Sequence, residues 1–279
     1  MRKIFIFIIL VLLAGVTGCR QEETLDDEIN DVIASFIENY ADDYVNEEKM
    51  DYYVVSALAA LEEVTLDDYV SNADVNAYLD NLEYNSINDA FIAAVISNAF
   101  NIPLNQKVID FLTEVDEVSP YEYVYGLIAL KIAGVNLELK EELLSNINII
   151  REEDYRDPDY AAIGLLATSN EDIDHAPLFN LIDPNLSKDG IISWGEANSA
   201  TTANVIIGLI AMGYNPAGDS YITEDVNLLE ALLTYEEEGG FVLHHGDDLD
   251  LQFSTPQAFA ALVTYKVFVE TGEAFNLFI

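Results

Sequence analysis

The stretch Asp159-Tyr160-Ala161-Ala162-Ile163-Gly164-Leu165-Leu166-Ala167-Thr168 decides the fold. It is apolar on nearly every helical face and rich in small residues, so it fits neither a half-exposed surface helix nor an alternating strand. It is predicted to be a buried helix that neighbours approach closely. Segments of the same character recur at intervals of roughly 35 to 55 residues, over 51–61, 88–100, 121–133, 198–212 and 254–269. Between them lie amphipathic segments, 25–40, 66–82, 104–115, 137–147, 175–182 and 223–235, with apolar residues at three- and four-residue spacing and acids between. Alternation of six outer with six inner helices gives helical hairpins, and a ring of hairpins buries the inner set without leaving an open end. The expected fold is therefore all-α, an α/α toroid of about six helical hairpins. No Pro-, Gly- or Ser-rich linker interrupts the series, which favours one domain over 25–279 rather than two.

Local signals place the helix ends. Ser119-Pro120 and Asp157-Pro158 offer a capping side chain followed by a first-turn proline, and Ser254-Thr255-Pro256-Gln257 is expected to do the same with Gln257 three residues after the cap. Gly213 and Gly272 follow inner segments and suit left-handed C-terminal caps.

The chain of 279 residues carries 51 acidic and 11 basic side chains, a formal charge of −40. Such a polyanion is repelled by phosphate backbones, so nucleic-acid binding is excluded, and it is repelled equally by anionic lipid surfaces. With 51% hydrophobic and 11% aromatic residues it can build a sizeable core, which argues against disorder. An excess of acids on outer helices is a solubility device and suits a saline or cation-rich exterior; it identifies no ligand.

Arg2 and Lys3 precede an apolar run over 4–14, the charged and hydrophobic parts of an export signal too short for a bilayer span. Val16-Thr17-Gly18-Cys19 then resembles a bacterial lipobox, and Cys19 is the single cysteine of the chain, which rules out an internal disulfide. The expectation is a cleaved signal over 1–18, lipid on Cys19 that anchors the protein to the outer face of a bacterial membrane, and a short tether over 19–24. Cleavage removes Arg2 and Lys3 and makes the mature chain more acidic still.

Asn198-Ser199-Ala200-Thr201-Thr202-Ala203-Asn204 and Ser254-Thr255-Pro256-Gln257-Ala258 resemble the inner-helix starts of the terpenoid cyclase and protein prenyltransferase superfamily. Glu236-Glu237-Glu238-Gly239-Gly240-Phe241 resembles its Gly-Gly-aromatic turn, and Lys188-Asp189-Gly190 to Trp194-Gly195 is a degenerate version. The resemblance is best over 182–279 and weaker back to about residue 25. Within the superfamily it is most similar to the toroid of cobalamin-binding transport proteins and to bacterial surface proteins with prenyltransferase-like repeats. The superfamily's catalytic strings are missing. No Asp-x-Asp-Asp occurs, Asp247-Asp248-Leu249-Asp250 having a different order. None of Asp26-Asp27, Asp42-Asp43, Asp67-Asp68 and Asp247-Asp248 continues as Asp-Asp-x-x-Asp, and the only cysteine lies in the lipobox rather than in a zinc site. The resemblance therefore implies a binding toroid, with a cobalamin-like ligand as one occupant; carriers of that kind add a second domain that closes over the ligand.

If every hairpin has the same sense, inner-helix N-termini gather on one rim with their free amides. That rim would display Tyr52, Tyr53, Asp89, Tyr121, Tyr123, Tyr125, Tyr155, Tyr160, Trp194, Glu196, Asn198, Thr202, Gln252 and Gln257. Aromatic and amide groups around a concave mouth suit a flat organic ligand or a glycan; singly, the same residues serve equally as core and caps. His244 and His245 with Asp247 and Asp248 form the most polar loop, where a metal is one reading and a solvated turn the blander one. Asp183, Asn185, Ser187 and Asp189 alternate like calcium ligands, although Gly190 follows the fourth rather than the third. His175 is read as the start of an outer helix, with contact to a cofactor metal as the alternative.

Three functions are compatible with this reading. The favoured one is a lipoprotein whose toroid captures a small organic or cofactor-like ligand at the aromatic rim. The second is an adhesion or interaction module, with calcium as an accessory. The third is an α/α-barrel enzyme acting on glycans or lipids, with Glu196 and Asp250 as acid and base.

Overall fold

The computed structural model describes residues 24–149 and 157–279. The expected signal over 1–18, Cys19, most of the tether and Tyr155 lie outside the described residues. The described chain is mostly helical: α1 (Leu25–Asn39), α2 (Ala41–Tyr44), α3 (Tyr52–Ala60), α4 (Asn72–Asn81), α5 (Ile87–Ala99), α6 (Gln106–Glu114), α7 (Tyr123–Ala133), α8 (Leu137–Asn146), α9 (Pro158–Thr168), α10 (Ala176–Ile182), α11 (Ser199–Ala211), α12 (Leu228–Leu233) and α13 (Ser254–Thr271). Among the described residues no helix is long and apolar enough to cross a membrane.

The odd-numbered helices from α3 to α13 match the apolar segments and form an inner layer. In α9 every residue but Asp159 is buried, and in α11 every residue but Ala200. Each inner helix packs on the next: α3 on α5, α5 on α7, α7 on α9, α9 on α11, α11 on α13, and α13 back on α3. Small residues set the closest approach, for a Cβ on Gly208 of α11 would sit 2.5 Å from the Ala162 carbonyl oxygen of α9.

The outer helices bury far less. Val75 and Leu79 in α4, Val108 and Leu112 in α6, Leu139 and Leu143 in α8, and Leu178 and Ile182 in α10 are each one buried pair four residues apart, with acids and amides facing water. Burial of such a side chain stabilises by about 1.5–3 kcal/mol, enough to fix each short helix on its inner partner. Helix α12 differs: it is only six residues long and buries five of them. Helix α1 packs on α13.

Two small antiparallel sheets were not foreseen. β1 (Leu186–Ser187), β2 (Gly190–Ser193) and β3 (Glu196–Asn198) precede α11, and β4 (Glu236–Glu237) with β5 (Gly240–Phe241) precedes α13. They lie where the Gly-containing turns were noted, and both feed the following helix alike. Thr202 Oγ1 of α11 accepts from Ile191 N at 2.9 Å, and Thr255 Oγ1 of α13 accepts from Phe241 N at 2.9 Å. Gly190 is required at the first of these joints, since a Cβ there would meet Thr202 Oγ1 at 2.4 Å and its φ is +106°.

Helix ends agree with the local signals except at the starts of α7 and α13: Ser119-Pro120 opens a 3-10 turn over 120–122 rather than α7, and Ser119 Oγ donates to Glu122 Oε2 instead of capping a helix amide. Asp157 caps α9 by accepting from Tyr160 N, and Gly272 ends α13 in the left-handed conformation. Ser254 is not the cap of α13, however: it is the first helical residue, and Asp250 accepts from the backbone of Gln252, Phe253 and Ser254. After α13 the chain turns back across the inner layer. Asn276 Nδ2 donates to Leu166 O, Asn98 Nδ2 donates to Phe278 O, and the buried Phe278 ring lies 5.6, 5.4 and 5.7 Å from the rings of Tyr52, Tyr53 and Phe91.

Candidate functional site

One cleft of about 510 Å³ is lined from all six inner helices. Tyr52 and Tyr53 come from the start of α3, Asn88 from α5, Tyr125 from α7 and Tyr121 from the turn before it, Asp159 from α9, Ala200, Thr201 and Asn204 from α11 with Asn198 just before it, and Gln257 from α13 with Phe253 just before it. Ser193 and Trp194 from the β2–β3 hairpin and His244 from the loop after β5 complete the wall. The volume lies within the range of small-molecule sites. Phe278, packed against Tyr52 and Tyr53, backs the α3 side of it.

A polar chain crosses this wall. Tyr53 Oη donates to Asn204 Oδ1 at 2.7 Å, Asn204 Nδ2 donates to Asp159 Oδ1 at 2.9 Å, and Thr201 Oγ1 donates to Asp159 Oδ2 at 2.7 Å. Burial pushes the Asp159 carboxyl above its ordinary pKa; the bonds from Asn204 and Thr201 offset part of this, and the nearby Asp157 adds to it. Burial likewise holds the hydroxyls of Tyr52, Tyr53, Tyr121 and Tyr125 well above the usual tyrosine value, so they remain neutral hydrogen-bonding groups. Five buried side-chain polar atoms among the described residues lack any partner, and two of them, Ser193 Oγ and Gln257 Oε1, belong to the cleft wall. Unsatisfied buried polar atoms cost about 1–3 kcal/mol each, so these two groups could each take a hydrogen bond from a molecule in the cleft.

Trp194 is 83% exposed, at the tip of its hairpin, and also borders a neighbouring cavity of about 450 Å³. Its φ of +57° is left-handed, a conformation costly for a bulky side chain. The hairpin therefore carries strain while presenting a large indole to solvent.

Of the expected rim residues, Tyr53, Tyr121, Trp194, Asn198 and Gln257 are brought together, as are Tyr52 and Tyr125. Others are not. Tyr160 is fully buried, donating to Ile147 O at 3.2 Å, because it lies one residue beyond Asp159 and is turned about 100° away into the core. Thr202 is likewise buried, joining α11 to β2. Asp89 closes the capping box of α5, and Tyr123 and Gln252 are not in the wall, Gln252 lying in the exposed turn that Asp250 organises. Asp159, Thr201, Asn204, Asn88 and Ser193 were not anticipated.

The acid–base pairing of Glu196 and Asp250 is not supported. Burial raises the Asp250 carboxyl, but hydrogen bonds from Ser254, Gln252 and Phe253 outweigh it and hold the pKa below the ordinary value; it is a helix cap, not a proton donor. Glu196 approaches His244 Nε2 at 3.3 Å. The histidine loop does not converge either. His244 Nδ1 meets Asp247 Oδ2 at 3.1 Å, whereas His245 stacks on Tyr235 at 4.1 Å between ring centres. Among the described residues no group of three or more His, Cys, Asp or Glu side chains is arranged to hold a metal ion. In the proposed calcium loop Asn185 Nδ2 donates to Leu181 O, Ser187 donates to Gly190 O, and Lys188 pairs with Asp189, so these groups turn to protein partners. His175 directly precedes α10 without capping it, its Nε2 3.2 Å from Thr168 O.

Comparison with protein-family models, with curated proteins and with solved structures found no match to this chain.

Proposed function

We propose that this protein is a lipid-anchored binding protein of the bacterial cell exterior whose α/α toroid takes a small organic ligand into the cleft at the inner-helix N-termini. The observation that carries the proposal is the pairing of an aromatic wall with two buried, unpartnered polar atoms, Ser193 Oγ and Gln257 Oε1. The packing of α3 through α13 in sequence, with α13 back on α3, supports the reading of the helices as a closed ring. The commitment of Asp250 to capping favours binding over the enzymatic reading.

The test is a thermal-shift screen of the full chain in detergent against cobalamins, oligosaccharides, isoprenoids and aromatic amines, repeated with Trp194→Ala. A ligand at a hundredfold excess over its Kd stabilises by about 2.7 kcal/mol, a readily measured shift. A shift lost in Trp194→Ala supports the cleft; shifts insensitive to Trp194, or none with any class, favour an interaction module. The anchor is tested separately: Cys19→Ala is expected to move the protein from the membrane to the soluble fraction, and an unchanged distribution overturns lipidation at Cys19.

A further inference from the structure

The charge around the cleft narrows the ligand class. Residues at or beside the starts of all six inner helices line this cleft, and each helix start carries about half a positive charge. These are outweighed by whole charges. Asp51 caps α3, Asp157 caps α9, Asp89 closes the capping box that Ser86 opens on α5, Asp250 accepts from the backbone at the start of α13, and Asp159 stands in the wall itself. Among the described residues no lysine or arginine lines the cleft, and the lysine ion pairs of Lys131, Lys140, Lys188 and Lys266 all involve acids outside the cleft wall.

Asp159 is the group left uncompensated. Its two oxygens each accept one hydrogen bond, from the neutral donors Thr201 and Asn204, whereas an ionised carboxylate has about four acceptor positions. A charge removed from water and held only by neutral donors is best completed by a cation. The remaining wall suits one: Tyr52, Tyr121, Tyr125 and Trp194 are all ring systems whose faces attract cations, and the indole most strongly. A neutral sugar would satisfy the amides but leave the carboxylate's charge uncompensated, and an anionic ligand would meet Asp159 with no basic side chain among the described residues of the wall to oppose it.

We propose that the ligand of this cleft is an organic ammonium ion, its charge set against Asp159 and its apolar body among Tyr52, Tyr121, Tyr125 and Trp194. This inference rests on the reading of the cleft as a ligand site. Ser193 and Gln257 supply the remaining polar contacts.

Calorimetric titration of the full chain with three isosteric probes tests it: 2-phenylethylammonium, neutral 2-phenylethanol and anionic phenylacetate. The ammonium is expected to bind at least about tenfold more tightly than the alcohol, a difference of about 1.4 kcal/mol, with no binding of the anion. Asp159→Asn is expected to erase that preference, and Trp194→Ala, altering an exposed side chain, to weaken the ammonium about fivefold. Should Asp159→Asn fail to fold, salt gives the same information in the unaltered protein. Raising it from about 20 mM to about 500 mM weakens ammonium binding and leaves the alcohol unaffected. Equal affinity for ammonium and alcohol, preference for the anion, or no binding of the ammonium at millimolar concentration overturns the proposal. Binding of a neutral oligosaccharide that Trp194→Ala abolishes, with the ammonium inert, overturns the ammonium assignment and leaves the cleft as the ligand site. Failure of every probe and oligosaccharide removes both.

Discussion

Tyr53 and Asn204, 151 residues apart in sequence, share a buried 2.7 Å hydrogen bond that ties α3 to α11 and holds the Asn204 amide so that its nitrogen reaches Asp159. Asn204→Leu leaves the Tyr53 hydroxyl and one Asp159 oxygen without that partner and is expected to destabilise by about 2–4 kcal/mol in denaturant titration. Asn204→Asp puts a second carboxylate against Asp159, beside Asp157. The folded pKa of the pair rises further above the unfolded value, so the folded state binds protons more readily. The deficit in Tm is therefore expected to be largest at neutral pH and to shrink on acidification toward pH ~4.5. A deficit independent of pH would show that Asp159 is not ionised beside residue 204.

Two glycines on inner helices make opposite predictions. At Gly208 an added Cβ meets the backbone of α9, with Ala162 O at 2.5 Å and Cα at 3.0 Å. Alanine is the better helix former by about 1 kcal/mol, but the clash of two backbones outweighs it, and Gly208→Ala is expected to lose about 2–3 kcal/mol. At Gly126 the closest atom is the tip of Leu143, which can turn aside. Gly126→Ala is expected to lie within about 1 kcal/mol of the unaltered protein. Equal effects in the two variants would mean that α9 and α11 are not in contact at Gly208.

Asp250→Ala removes the acceptor for three backbone amides at the start of α13 and is expected to cost about 1–2 kcal/mol, or about 3–6 °C in Tm. Its folded pKa lies below the unfolded value, so its contribution is complete above the ordinary carboxylate range and fades as the pH falls through the folded pKa. The gap between Asp250→Ala and the unaltered protein should stay constant through neutral pH and close in acid.

Trp194 is the single tryptophan of the chain and stands on the cleft wall, so intrinsic fluorescence reports directly on that site. Trp194→Gly relieves a left-handed backbone and removes a mostly exposed ring. It is expected to leave Tm unchanged or raise stability by up to about 1 kcal/mol while weakening ammonium binding about fivefold in calorimetric titration. Marked destabilisation would assign Trp194 a structural role instead.

The layer structure was legible because the two helix types differ in composition: 159–168 is apolar all round, whereas the outer segments present one apolar pair four residues apart. The hairpins before α11 and α13 escaped notice because strands of two to four residues are too short for alternation to show. Their signal was instead steric, in Gly190 pressed on Thr202. Helix starts place Tyr53, Tyr121, Asn198 and Gln257 in the cleft wall, but rotation of about 100° per residue separates Asp159 from Tyr160 and Thr201 from Thr202, so the wall holds Asp159 and Thr201 where the expectation named Tyr160 and Thr202. A legible signal existed: Asn198, Thr201 and Asn204 recur every third residue in a segment otherwise apolar or small, marking one polar stripe.

The packing of α1 on α13, together with the 2.5 Å hydrogen bond from Tyr44 Oη to Leu251 O, brings the first and last described helices side by side. In a cycle of that kind, sequence order is only one way of threading the same set of neighbours. A circular permutant joining residue 279 to residue 25 and opening at the exposed turn 213–215 should recover the same helices and the same cleft. Removing one whole hairpin has no such tolerance, because the gap it leaves cannot be closed by moving the ends. Changes of loop length and of rim side chains are therefore expected to be tolerated where loss of an inner helix is not.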